Sequence, residues 1–313
     1  MILLTLGIAF SIDIEWIEIG GRPLRMRLTP IGLLVVDSLG GRVVSPGNFE
    51  ITGLSFPVWA DYCCGRVYVT DLKKSRVIAW RDGKIVGEAF VKRPEMIVAR
   101  NGKIFVTDES RVHVFDRDLK KLKTFEFPSE SVYINVSAGR LVHLEYWGNH
   151  PDVTFVGLES FERTTLDLGL ERPFRYLEID GTVVILDYMG KLAIRWGGGW
   201  KTFKIGRYSY GLASDGRRVF TSSLVEGGIR VFDLEGQRRS FWKLPSPAGD
   251  VDFCCGRVVA CGIFSDEVYV VRDGKIEKRI RGCDYPLMIT SDPPVVYVLC
   301  SDSGKVLRID FSK

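Results

Sequence analysis

What this chain has little of narrows it first. Its 313 residues include one glutamine (Gln237), four asparagines (Asn48, Asn101, Asn135 and Asn149), three histidines and only 10 alanines. Alanine is the best helix former, and here it is set against 34 valines, 18 phenylalanines, 11 tyrosines and seven tryptophans. Residues of that kind suit a pleated, half-buried surface, so a mainly helical architecture is excluded and an almost wholly β chain is expected. Scarce side-chain amides beside 27 arginines and 16 lysines form the composition of a protein that works hot, since amides are thermolabile. No stretch approaches the roughly 18 apolar residues of a helical membrane span, so a soluble protein with no membrane partner is expected. Residues Met1 to Phe10 are apolar but lack a basic lead-in and run into the strand-like SIDIEWIEI, which reads as a first strand rather than an export leader and favours a cytoplasmic location. The net charge of +4 is spread along the chain without a Lys/Arg block. Nucleic acid is therefore not the default partner.

What the chain does have is a repeat. An apolar strand, a turn ending in glycine, a Val/Ile-rich strand, a polar loop and two further strands recur, most clearly from Pro57 (PVWADYCCGRVYVTDLKKSRVIAWRDGKIVGEAF) and from Pro94 (PEMIVARNGKIFVTDESRVHVFDRDLKKLKTFEF). The turn glycines are Gly32, Gly65, Gly102, Gly139, Gly181, Gly216 and Gly256, with Pro294 in the equivalent place of an eighth copy, at spacings of 33 to 42 residues. One four-stranded meander cannot bury its own face, so the units must pack on each other, as the radial blades of a β-propeller do. The segments Arg66 to Asp71 (RVYVTD), Lys103 to Asp108 (KIFVTD) and Ile229 to Asp233 (IRVFD) resemble the NHL and YVTN propeller repeats. That resemblance spans nearly the whole chain, implies one propeller domain over residues 1–313, and leaves the function open. The last copy ends after three strands, while Ile12 to Gly21 precedes the first copy without a blade of its own. Pairing the two closes the ring and hides both edges. The expected fold is all-β, with eight four-stranded antiparallel blades, or seven if Leu33 to Gly53 is not a full blade.

Binding residues are expected where loops are held by a rigid scaffold, on the face carrying the links between blades. There the sequence places Arg22, Arg25, Arg93, Arg172, Arg175 and Arg207 with Trp59, Tyr133, Tyr176, Tyr210, Tyr285, Phe56 and Phe174. Guanidinium forks and flat rings suit an anionic small molecule or a protein partner. The irregular loop from Glu145 to Asp152 adds Tyr146, Trp147 and His150. A carboxylate series at the end of each second strand (Asp37, Asp71, Asp108, Glu145, Asp187) either accepts turn amides or holds a divalent cation; Glu145, His150 and Asp187 are the metal-ligand candidates. No other cofactor is expected.

Seven cysteines leave at least one without an intrachain partner. Cys63-Cys64 and Cys254-Cys255 fall in equivalent turns of non-adjacent blades and cannot pair with each other. Cys261, Cys283 and Cys300 map to the opposite face, where Cys283 is expected to bond Cys261 or Cys300. The sequence lacks a nucleophile elbow, a zincin helix and a phosphate loop. It also has too few asparagines for the site of calcium-dependent lactonase propellers, which it resembles in repeat organisation. A non-catalytic binding scaffold is therefore favoured over a metal-dependent hydrolase or lyase at the channel mouth.

Overall fold

The computed structural model describes residues 12–128, 131–145, 153–196 and 198–312. Its strands form eight four-stranded antiparallel sheets, and the fold is an eight-bladed β-propeller. The copy from Leu33 to Gly53 belongs to a full blade: Arg25–Thr29, Gly32–Asp37, Arg42–Ser45 and Phe49–Ile51 pair in order. Seven blades are contiguous meanders, numbered here one to seven from this copy. In blade eight the strand order is Asp13–Glu18, Lys305–Asp310, Val295–Cys300, Pro286–Asp292. The first strand thus pairs with the last over six residues, Trp16 facing Leu307, and closes the ring as the sequence implied. Residues 1–11 lie outside the described residues.

The turn glycines are where the repeat predicts them, each with positive φ. Between the first two strands of blade three, Asn101 (φ 52°) and Gly102 (φ 73°) both sit in the left-handed region, the two-residue turn whose twist matches its flanking strands. Burial falls off radially. In blade three the second strand, Lys103–Asp108, is buried after its first residue, whereas the outermost, Lys121–Glu126, is largely exposed. A blade is covered on both faces by its neighbours, so its middle strands are Val/Ile-rich without polar alternation. Leu34, Val36 and Val43 of blade one pack with Ala60, Val67, Val69 and Ile78 of blade two. At the closing seam, Ile19 joins Met26, Leu33, Val35, Leu299 and Val306, while Ile14 and Trp16 pack on the core between blades seven and eight.

Polar ties complement these apolar interfaces. The buried carboxylate of Asp61 in blade two accepts from Arg27 Nε of blade one (2.9 Å) and from the Ala99 amide of blade three (2.8 Å). Of the two bridges left open by the sequence, the structure has Cys283–Cys300, Cα atoms 4.9 Å apart, tying the entry of blade eight to the end of its second strand. Cys261 is a free, buried thiol.

Candidate functional site

The innermost strands line the central channel, and a shared irregularity decides what they show to it. In six blades the register slips just after the first residue of this strand, as between Pro57 and Trp59 or between Pro173 and Arg175. Proline is tolerated at such a bulge because no ladder amide is needed there, and the bulge re-aims the residue that follows. A hydroxyl of the second strand takes up the displaced amide: Thr70 Oγ1 accepts from the Trp59 amide (3.0 Å), Thr107 Oγ1 from Met96 (2.9 Å) and Ser222 Oγ from Gly211 (2.9 Å). Arg25, Trp59, Met96, Tyr133, Arg175, Gly211, Asp250 and Met288 consequently occupy equivalent places around the channel.

A cavity of about 420 Å³ opens at this level, walled by Arg25, Trp59, Met96, Tyr133, Arg175 and Met288 together with Phe56, Val58, Leu72, Glu95, Phe174 and Tyr210. Seven residues of the expected rim, Arg25, Phe56, Trp59, Tyr133, Phe174, Arg175 and Tyr210, come together here. Arg25 Cζ stands 5.5 Å from the centroid of Trp59, and Arg175 Cζ 5.0 Å from Phe174 and 5.6 Å from Tyr210. Phe174 and Tyr210 are in ring contact at 5.0 Å.

The two guanidiniums differ in what surrounds them. Arg175 Nη2 meets Asp250 Oδ1 at 3.2 Å, and Asp250 Oδ2 accepts from the Ile289 amide (3.0 Å). Burial works to lower the Arg175 pKa, but Asp250 with Tyr210 and Tyr133 outweighs it, and the net shift is upward. Burial also pushes the Asp250 carboxyl up, against the opposing pull of Arg175. Arg25 donates from Nη1 to its neighbour's carbonyl at Leu24 (2.9 Å); among the described residues no carboxylate lies within ion-pair distance of it. Its pKa is lowered, chiefly by burial. The wall also has donors in surplus, since Trp59 Nε1 and Arg175 Nε are buried without an acceptor among the described residues.

The remaining expected site residues lie elsewhere. Arg22 and Arg93 sit on the exposed rim, bonded to Asp302 (2.6 Å) and Glu109 (3.2 Å). The Arg172 amide donates to Asp187 Oδ1 (2.7 Å), which places that residue at a blade entry rather than in the cavity. Arg207 is exposed. Tyr285 is 37% exposed, and its amide is held by Asp266 Oδ1 at 2.9 Å. Tyr176 is a correction: it follows Arg175 in an extended strand, so it faces the other way, packing with Val142, Leu144, Val183 and Ile185 while its hydroxyl donates to Glu178 Oε2 (2.6 Å). Tyr146, Trp147 and His150 lie outside the described residues.

The carboxylate series is engaged within the blades. Asp71 accepts the amides of Ser55 and Phe56 and the guanidinium of Arg76, and Asp187 those of Glu171, Arg172 and Met189. Asp187 thus ties a blade-entry loop to its own blade, and Glu145 holds the equivalent buried place in blade four. His143 is fully buried and stacks on Phe127 at 3.6 Å. Burial, aided by Arg163, depresses its pKa to about 3. Among the described residues no three His, Cys, Asp or Glu side chains cluster as metal ligands. Glu95, Met96, Asp250 and Met288 were not anticipated, being neither arginine nor aromatic. The Pro-x-x frame that opens these strands would have found Met96 and Met288, because the same frame presents Trp59 and Arg175.

No protein-family model matches the chain, and no curated protein matches it. Solved structures do. BamB from Moraxella catarrhalis superimposes with a TM-score of 0.79 at 13% identity, covering 96% of this chain and 98% of its own. Virginiamycin B lyase from Staphylococcus aureus gives 0.61 at 12% identity over 96% and 99%. BBS1N, solved in complex with ARL6DN, gives 0.61 at 13% identity over 84% and 94%. These likenesses establish the propeller, and the propeller alone, because one such fold carries both a lyase and a protein-binding domain.

Proposed function

We propose that the chain is a non-catalytic binding propeller whose channel mouth seats an anionic group attached to a flat or apolar body. That group is a carboxylate on a small molecule or on a protein partner's acidic segment. The observation that carries this reading is Arg25: a largely buried guanidinium in an aromatic cavity, with no carboxylate within ion-pair distance among the described residues. Removing a charge from water is costly unless it is paired. An incoming carboxylate offsets that cost and meets the planar fork in a bidentate fashion. Phe56, Trp59, Tyr133, Phe174 and Tyr210 supply the flat apolar walls for the rest of the ligand. The partner-bound state of BBS1N supports a propeller of this size acting through association.

Isothermal titration of the full chain with phenylacetate, phenylacetamide and an acetylated Glu-Phe-Glu peptide tests this. The two carboxylate probes are expected to bind and the amide not to. Arg25→Ala should weaken binding roughly 10- to 100-fold, the range of a charge-assisted hydrogen bond, while Arg22→Ala, on the outer rim with Asp302, leaves it unchanged. Equal binding of acid and amide, or binding unaffected in Arg25→Ala, would overturn the assignment.

A further inference from the structure

On the face opposite the cavity, the turns after the innermost strands of blades two and seven carry one seven-residue pattern: Asp61-Tyr-Cys-Cys-Gly-Arg-Val67 and Asp252-Phe-Cys-Cys-Gly-Arg-Val258. In each, the second cysteine and its glycine are both left-handed, Cys64 at φ 57° with Gly65 at 76°, and Cys255 at 53° with Gly256 at 75°. Blades three and five place Asn101 and Asp180 at that position, residues that tolerate the left-handed region far better than cysteine does. Blade four places Ala138 there (φ 46°), so geometry alone does not fix the residue, yet two of the turns carry a cysteine beside a second cysteine. In both, the adjacent sulfurs are in contact, Sγ to Sγ 2.7 Å in blade two and 3.1 Å in blade seven. Cys64 and Cys255 are exposed, Cys63 half-buried and Cys254 buried.

We propose that Cys63-Cys64 and Cys254-Cys255 are paired dithiol sites that close reversibly into disulfides within each turn, by exchange with a low-molecular-weight disulfide. A shared metal ion fits less well. Two thiolates on a tetrahedral ion with bonds of about 2.3 Å stand about 3.8 Å apart, wider than either pair, and no third ligand clusters with them among the described residues. A bridge between the two turns is excluded because blades one and eight intervene. The same chain already holds one disulfide, Cys283–Cys300, so its sulfur chemistry is compatible with oxidised partners.

The exchange balances in two steps. The exposed thiol, as its thiolate, attacks one sulfur of the small disulfide, forming a mixed disulfide and releasing one small thiol. The inner cysteine then loses its proton and attacks the outer sulfur, closing the ring and releasing the second thiol. Two electrons pass from the cysteine pair to the small disulfide, and the two protons end on the released thiols. Burial first, and then the neighbouring thiol, hold Cys63 up to about 11 and Cys254 to about 12. Ring closure should therefore quicken as pH rises from 7 to 9. Adjacent Cα atoms lie about 3.8 Å apart, below the ordinary disulfide range of about 4.4 to 6.8 Å, whereas Cys283 and Cys300 lie within it at 4.9 Å. The turn disulfides are accordingly the more readily reduced.

The test equilibrates the full-length protein in graded oxidised and reduced glutathione, then alkylates it in denaturant and maps the peptides by mass. Five cysteines outside the bridge are expected to take label in reducing buffer, and in oxidising buffer only Cys261. Each Cys-Cys peptide should lose two hydrogens, about 2 Da, with both turns opening before Cys283–Cys300 does. Cys64→Ser should abolish the loss in blade two and leave blade seven unchanged. Arg25→Ala, at the opposite face, should alter neither. Two labels per Cys-Cys peptide at every ratio, a glutathione adduct that never closes, or opening only together with Cys283–Cys300 would each overturn the proposal.

Discussion

His143 gives a sharp test of how the blades pack, because a fully buried imidazole ties folding stability to pH. It lies in a core, stacked on Phe127 with Nδ1 3.9 Å from Glu145 Oε1, and burial depresses its pKa to about 3. An unfolded chain returns this imidazole to about 6.5. Because the folded value is depressed, the unfolded state takes up the proton first as pH falls. Stability is then lost from about pH 6.5 downward and continues to fall until the folded value is reached. Each unit of difference is worth about 1.4 kcal/mol, so between pH 7 and pH 5 this one residue removes about 2 kcal/mol. Urea unfolding at pH 7, 6 and 5 should show that loss in the wild type and not in His143→Gln. Only the slopes are compared, so any constant cost of the substitution cancels, and the contributions of His113 and His150 are common to both proteins. Parallel slopes would refute the buried, neutral assignment.

Other outcomes follow from the architecture. Cys283→Ala with Cys300→Ala should cost about 3 kcal/mol by freeing a loop with a sequence separation of 17; equal urea midpoints for the variant and the bridged protein would count against that. A chain starting at Gly21 should melt below one starting at Ile12, because it loses the ladder to Lys305–Asp310 and the burial of Ile14, Trp16, Ile17 and Ile19. Calorimetry showing one midpoint for both chains would remove the closing strand as a source of stability. At the channel mouth, the discriminating result is the loss of carboxylate-probe binding in Arg25→Ala with retention in Arg22→Ala.

The parts of this fold legible from sequence were those written in local geometry. Glycines in left-handed turns and Val-rich middle strands recur at a period that admits one architecture, and the unpaired Asp13–Glu18 had one vacant partner. The cavity was legible in part, because Arg25, Trp59, Tyr133, Arg175 and Tyr210 sit at positions that the repeat brings to one level. What misled was alternation. The bulge after Pro173 sets which side Arg175 takes, so its neighbour Tyr176 belongs to the packing between blades although both looked alike in sequence. Pairing was also invisible: nothing local marks Arg22 as bonded to Asp302, 280 residues away, or Arg25 as lacking such a partner among the described residues. Asp250 escaped notice because an acid in a basic, aromatic rim runs against the charge pattern that pointed to the site.

The contact between Trp16 and Leu307 also constrains when the molecule can be made whole. Blades one to seven can each form as their own residues leave the ribosome, since every strand they need is contiguous. The strand Asp13–Glu18 emerges before any of them and finds its partner only after Asp310 has been added. At roughly 5 to 20 residues per second, it waits roughly 15 to 60 s as an unpaired edge while seven blades assemble behind it. The segment that seals the mature ring is thus the nascent chain's longest-lived point of exposure.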